Sequence, residues 1–297
     1  MNEQIKSGPD VSVVIGSYKR GRFLRRTLAC VRRELEGLQG EIIVVDGGSG
    51  TGTLGWLMRQ KDVVTIVQHN RGLWRGQRIE RRSWGYFMNL GFKVAQGRYI
   101  CMLSDDCLLE PGSLHRGIAH CEAERGRGRK VGAGAFYWHN SFGPKDYFVG
   151  LSYDGCVCVN HGLFLREAMK EVGLCDEERY QFYHGDTDLC LKMWEGGYEI
   201  LDCPESFVEH FPHASAKVRA GNLASQERDM KAFVERWNPV FGGPDRQYEG
   251  GAKYVAHADP AGTKWRFPPL DIAALYVSRI VGHLRGVLGV NSREKGA

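Results

Sequence analysis

Tyr99-Ile100-Cys101-Met102-Leu103-Ser104-Asp105-Asp106 opens as an apolar run and closes in two adjacent carboxylates. A short apolar run after a glycine reads as a buried strand. Asp-Asp at its end puts acid at the carboxyl edge of a sheet, which is where open α/β sheets bind ligands. Two neighbouring carboxylates repel each other unless a cation or a donor lies between them. Hard divalent ions bind through one or two carboxylates together with substrate phosphates. Spacing alone leaves two readings open: a metal–diphosphate site, or acids that cap a helix over 111–123.

Working outward, Val11-Ser12-Val13-Val14-Ile15 is a β-branched buried strand. The turn Gly16-Ser17-Tyr18-Lys19-Arg20 follows it, and then a helix carried by Phe23, Leu24, Thr27, Leu28 and Val31. Glu41-Ile42-Ile43-Val44-Val45-Asp46 is a second strand that also ends in acid. A short helix over 53–60 and a strand over 63–68 come next. Residues 71–82 hold Arg71, Arg75, Arg78, Arg81 and Arg82 around Trp74 and read as an exposed loop or short helix. A helix over 84–95 leads into the central strand. This alternation predicts an α/β fold with a mostly parallel central sheet flanked by helices.

Beyond residue 125 the pattern loosens. Strands are expected over 131–138 and 155–159 with a loop rich in Gly, Pro and Asn between them. Helices are expected over 163–172, 186–195 and 227–237, and short strands over 198–202 and 207–210. The predicted organisation is a polar segment 1–10, an α/β domain 11–241 and a C-terminal extension 242–297. Within the extension, Ala273, Val277, Ile280, Val281, Leu284, Val287 and Leu288 share one face of a helix across 271–289. Such a face packs on its own domain or on a partner, or lies on a membrane surface.

The net charge of +5 over 297 residues is too small to argue for nucleic acid, but it suits an anionic ligand or an anionic surface. The nine cysteines include Cys156-Val157-Cys158 and no CxxC pair. That spacing argues against both a zinc site and a disulfide framework and fits a reducing, cytoplasmic setting. No apolar leader is visible in 1–10, and no run reaches the roughly 18 apolar residues a spanning helix needs.

Three further constellations carry chemistry. Gly50-Thr51-Gly52-Thr53-Leu54-Gly55 matches GxGxxG, the sign of a dinucleotide-dependent oxidoreductase. Its context is poor, because Asp46-Gly47-Gly48-Ser49 separates it from the strand and the next strand ends without an acid. His184-Gly185-Asp186-Thr187-Asp188 opens a helix, where a carboxylate is a cap or, facing a pocket, a general base. Glu209-His210 follows a strand, and a neutral imidazole there can ligate a metal or meet a phosphate.

Taken in order, these pieces resemble the family 2 glycosyltransferases of the GT-A fold. Val11 to Arg20 looks like the opening strand and nucleotide-binding turn. Ile43-Val44-Val45-Asp46-Gly47-Gly48-Ser49 looks like the second motif, whose acid contacts the base. Asn89-Leu90-Gly91 and Gly97-Arg98-Tyr99-Ile100 look like the lead-in to the metal motif. Leu103-Ser104-Asp105-Asp106 looks like the DXD region, and Gly185-Asp186-Thr187-Asp188-Leu189-Cys190-Leu191-Lys192 looks like the acceptor-side acid motif. The resemblance implies nucleotide binding by Ser17, Tyr18, Arg20, Asp46 and Asp105. It implies Mg²⁺ or Mn²⁺ on Asp106 and His210, and Asp186 as catalytic base. Asp188, Trp74 and Arg82 take supporting or acceptor-side places.

The implied activity is inverting transfer from a nucleotide-diphosphate sugar, a UDP-sugar, to a hydroxyl of a carbohydrate or glycolipid, with peripheral membrane contact through 271–289. Ser104 stands where Asp or Asn is usual, and Gly185 where Glu often precedes the base. Those departures are what a sugar-nucleotide-binding protein without transfer would rest on.

Overall fold

The computed structural model describes residues 8–141, 146–211, 216–242, 248 and 253–255, and within the tail Ala273, Val277 and Ile280. Strands and helices alternate through the first half: β1 (Val11–Ser17), α1 (Gly21–Glu34), β2 (Gly40–Asp46), α2 (Thr51–Leu57), β3 (Val63–Val67), β4 (Leu73–Trp74), β5 (Gln77–Arg78), α3 (Trp84–Val94), β6 (Tyr99–Ser104), β7 (Cys107–Leu109) and α4 (Ser113–Gly126). The second half adds β8 (Val131–Asn140), β9 (Phe148–Leu151), β10 (Val157–Cys158), β11 (Gly162–Leu165), α5 (Arg166–Glu171), α6 (Gly185–Glu195), β12 (Glu199–His210), α7 (Ala216–Leu223), α8 (Gln226–Phe241) and β13 (Lys253–Val255).

The central sheet runs β3-β2-β1-β6-β11-β8-β9-β10, with β12 beside β8 and β7, and β13 beside β9. β1, β2, β3 and β6 are mutually parallel, as are β8 and β12. The antiparallel strands gather toward the C-terminal side. The expected α/β architecture, a mostly parallel sheet flanked by helices, is therefore present. β1 and β6, at the centre of the parallel half, are almost wholly apolar and buried, as strands covered on both faces are. Register sets the site: Ser17 lies opposite Asp46, and Gly16 opposite Ser104, so their strand ends share one carboxyl edge.

Several local expectations are corrected. Leu163-Phe164-Leu165 is not helical; it is the middle of the sheet, paired to both β6 and β8, and the helix begins only at Arg166. A short apolar run buried on both faces has no period that separates strand from helix. Residues 71–82 form neither a plain loop nor a helix but the hairpin β4–β5, turned through Arg75 (φ 50°) and Gly76 (φ 77°). Two consecutive positive φ values make the type I′ geometry that suits a two-residue hairpin. The strands expected over 198–202 and 207–210 are one strand, β12, whose register shifts between Cys203 and Phe207, across Pro204. β9 lies in what reads as a loop, and α8 continues through Pro239 to Phe241.

Asp105 and Asp106 do not cap α4, because β7 intervenes and that helix starts at Ser113. Glu34 from α1 takes the capping part instead, accepting from the backbone N–H of Gly112 (2.7 Å) and Leu114 (2.9 Å).

The helix expected across 271–289 falls outside the described residues except for Ala273, Val277 and Ile280. Those three are helical, and Val277 and Ile280 are 61% and 57% exposed. Among the described residues no helix is long and apolar enough to cross a membrane.

Candidate active site

The parallel half of the sheet ends in a polar rim. Asp46 is fully buried, and its Oδ1 accepts from the backbone N–H of Gly48 (2.9 Å) and Ser49 (2.6 Å). Its Oδ2 has no hydrogen-bond partner among the described residues. A buried carboxylate oxygen left open in this way is costly unless a ligand donor meets it. Ser49 Oγ accepts from the N–H of Lys19 (2.8 Å), and Gly47 N–H donates to Ser17 O (2.8 Å), so the two strand-end loops are tied together. Tyr18 packs over Gly47, with the Arg71 guanidinium 5.5 Å from its ring centre. This rim offers an aromatic face and an acceptor, which fits a nucleoside.

Arg20 forks onto both acids of the central strand: Asp105 Oδ1 at 2.7 Å and Asp106 Oδ2 at 2.5 Å. Burial pushes the Asp105 carboxyl up to about 7, against the pull of Arg20. One guanidinium cannot neutralise both carboxylates when both are ionised, and a cation can offset the remaining charge. Asp106 Oδ1 faces His210 Nε2 at 3.7 Å. His210 Nδ1 lies 2.9 Å from Asn140 Oδ1; in the tautomer with the proton on Nδ1 this is a hydrogen bond and Nε2 is left as an acceptor. Asp106 O accepts from Phe211 N–H (2.8 Å), and Phe211 stacks on Phe23 with ring centres 5.3 Å apart, so β12 and α1 both hold the acid pair in place.

Asp186 stands in the first turn of α6. Its Oδ1 accepts from Thr187 N–H (2.8 Å) and its Oδ2 from Asn160 Nδ2 (3.2 Å). Burial raises its pKa, with the Thr187 N–H, His184 and Asn160 opposing. Asp188 has a different environment. It is buried, and its Oδ1 accepts from Tyr180 OH and Trp237 Nε1, both at 2.9 Å, so its contacts are those of a framework residue. Gly185 is needed where it is, since a Cβ there would stand 2.9 Å from the Trp84 ring. The aromatic that starts α3 therefore fills the place where a larger residue would otherwise precede the acid.

The loop before Asp186 is clamped from α8. Asp229, fully buried, accepts from the backbone N–H of Gln181 (3.0 Å), Phe182 (2.8 Å) and Tyr183 (3.1 Å). Burial pushes its pKa up, but these donors and Arg228 outweigh it and the net direction is down. Its stabilisation is thus full above the unfolded carboxylate pKa of about 3.9 and is lost as pH falls through the lower folded value. Asp229→Ala is expected to cost about 2–3 kcal/mol at pH 7. Urea unfolding at pH 7 and at pH 3 checks this; the gap to wild type should narrow at the lower pH, and an equal gap at both would refute the assignment.

Other sequence-selected residues lie on the hairpin side. Trp74 is 69% exposed beside Arg75, and Arg82 pairs with Glu80 (3.3 Å) and lies over Tyr86. Arg81 donates to Asn222 Oδ1 (2.7 Å) and Gly221 O (3.0 Å), which anchors the hairpin to α7. The sequence reading missed Asn160 and His161, which lack a recognisable spacing to any partner. Cys107, which follows the acid pair, was not singled out either. His161 lies 3.6 Å (Nε2) from Cys107 Sγ, and burial lowers its pKa to about 3, so it is a neutral imidazole. The GxGxxG stretch forms the start of α2, where a Cβ at Gly50 or Gly52 would touch nothing within 4 Å. Nothing there demands the close approach that the dinucleotide fingerprint uses glycine for.

A parallel half-sheet thus ends in an open acceptor and a buried acid pair, with a further acid on a neighbouring helix. Residues 12–152 match the family model described as Glycosyl transferase family 2. Over 108 residues the chain is 29% identical to chondroitin synthase of Escherichia coli, a stretch that covers 35% of this chain and 14% of that protein. Among solved structures it is similar to the mannosyltransferase PcManGT from Pyrobaculum calidifontis in complex with GDP-Man and Mn²⁺. That match has a TM-score of 0.49 at 16% identity and covers 77% of this chain and 65% of that one. The family match and the sequence relative support a glycosyltransferase.

Proposed function

We propose that the chain is an inverting glycosyltransferase that moves a sugar from a nucleotide-diphosphate donor, a UDP-sugar, to an acceptor hydroxyl, with the catalytic unit over 11–241. The observation that carries this reading is the pair Asn160-His161. Asn160 holds the Asp186 carboxylate, and His161, the next residue, touches Cys107 beside Asp106. Consecutive Cα atoms are about 3.8 Å apart, so two neighbouring residues link the loop beside Asp186 to the strand end that carries Asp106, which supports reading the three acids as parts of one site.

In this reading Asp46 Oδ2 accepts from the base, Ser17 and Tyr18 line the nucleoside, and Arg20 aligns Asp105 and Asp106. Asp106 and His210 Nε2 fit a divalent cation, an oxygen and a nitrogen donor side by side. The bound ion would offset charge developing on the leaving diphosphate. Asp186 takes the proton of the acceptor hydroxyl as that oxygen bonds to the anomeric carbon and the bond to the diphosphate breaks. Attack opposite the leaving group inverts the centre. The acceptor is a carbohydrate or glycolipid, and the exposed helical Val277 and Ile280 suit a peripheral membrane contact by the tail.

Asp106→Ala is expected to abolish metal-dependent donor binding, and chelation of the wild type to reproduce the loss. Calorimetric titration with UDP-, GDP- and dTDP-sugars, with and without metal, checks both the donor and the ion. Unchanged affinity in the variant would refute the metal role. Binding without turnover in the presence of acceptors would favour a sugar-nucleotide-binding protein instead.

A further inference from the structure

We infer that Cys107, His161 and His210 form a sulfur–nitrogen ligand set beside Asp106 that selects a borderline ion of the Zn²⁺ type over Mg²⁺ or Mn²⁺. One donor atom from each of the three lies within 4.8 Å of the others. They come from three distant places: the first residue of β7, the turn ahead of β11 and the last residue of β12. Cys107 and His161 are buried and His210 is partly so.

The geometry suits a metal. Cys107 Sγ is 3.6 Å from His161 Nε2 and 3.8 Å from Nδ1. Zinc bonds of about 2.3 Å to sulfur and 2.0–2.1 Å to nitrogen, at a tetrahedral angle, put S and N about 3.5 Å apart. In the tautomer with the proton on Nδ1, the His210 ring is oriented by Asn140 and Nε2 is left as donor, the outer-shell arrangement metal-bound histidines use. Asp106 Oδ1, 3.7 Å from that Nε2, is the next oxygen beside the three. Three protein ligands with a further position beside them match an open site better than a closed structural one.

Donor chemistry then sets the ion. Thiolate and imidazole favour zinc and its neighbours, whereas Mg²⁺ wants oxygen and Mn²⁺ lies at the weak end of the divalent series. On binding, the Cys107 thiol loses its proton to solvent and the sulfur bonds to the ion, with no redox change. The inference rests on the transferase reading for what the ion is used for; its test is read on the metal itself.

The full chain, stripped with chelator, is dialysed against equal Zn²⁺, Mn²⁺ and Mg²⁺, and separately titrated with Co²⁺. The expected results are retention of Zn²⁺ alone and a near-ultraviolet thiolate-to-cobalt band. Cys107→Ser should lose that band. Asn140→Ala should weaken Zn²⁺ by about 10- to 100-fold while keeping it. His161→Asn, with folding checked by circular dichroism, should lose Zn²⁺ retention and covers the case in which Cys107→Ser fails to fold. Mn²⁺ retained as strongly as Zn²⁺, no thiolate band, or a band that persists in Cys107→Ser would each overturn the inference. Zn²⁺ bound with the band but no transfer from any donor overturns the transferase reading and leaves this one standing.

Discussion

Asp186→Asn is expected to lower transfer by about 10²- to 10⁴-fold while folding and donor binding stay near wild type, the usual worth of a positioned base. The amide keeps the shape of the side chain, and its oxygen can still accept from Thr187 N–H, the 2.8 Å contact that holds Oδ1. What it loses is the capacity to take a proton. A flip of the Asn160 amide restores the second contact, so the loop need not move.

The electrostatics add a second readout. At a helix start the macrodipole favours an ionised acid, yet burial wins here and the net direction is up. A base with raised pKa holds its proton more readily and loses function at a higher pH than an ordinary carboxylate. The wild-type rate should therefore fall on acidification with a midpoint above the usual aspartate range, and the Asn variant should lack that limb. Single-turnover transfer across pH at saturating donor measures both. A near wild-type rate in Asp186→Asn would show that the base lies elsewhere, and a dead Asp188→Asn beside it would move the role two residues on.

Trp237→Ala is expected to cost about 3–5 kcal/mol in unfolding free energy, the range for emptying a buried large aromatic site. Trp237 is fully buried at the centre of a second core with Tyr153, Tyr180, Leu191 and Phe233, apart from the main one around the sheet. It also donates Nε1–H to Asp188 Oδ1. Burial raises the Asp188 pKa, with Lys192, Tyr180 and Trp237 opposing, so removing the indole leaves a buried acid short of a donor. Trp237→Phe separates the parts: it keeps most of the ring volume and should cost about 1–3 kcal/mol from the lost donor. Denaturant unfolding measures both variants. A Phe variant as stable as wild type would mean that Asp188 does not need the indole. Because Asp188 is two residues from Asp186 on the same helix, both variants should also slow transfer.

How much of this was readable in advance differs by element. Strands β1, β2 and β6 are β-branched or apolar runs that end in polar or acidic residues, and a run of that kind, covered by helices on both faces, has one stable place in an α/β sheet. Ser17, Asp46, Asp105 and Asp106 could thus be assigned to a sheet edge before any coordinates, and the acid at the start of α6 was marked by the turn before it. The chain by itself therefore determined the parallel half-sheet, its acidic edge and the position of Asp186. It did not decide whether Leu163-Phe164-Leu165 is strand or helix, because that depends on β6 and β8 lying on either side. It did not separate capping acids from site acids, since the true cap of α4 is Glu34, 78 residues before Gly112. Nor did it bring Cys107 to His161 across 54 residues, or Asn160 to Asp186 across 26. Periodicity and spacing report only neighbours along the chain; these contacts follow from strand register and helix packing, and only the tertiary structure carries that information.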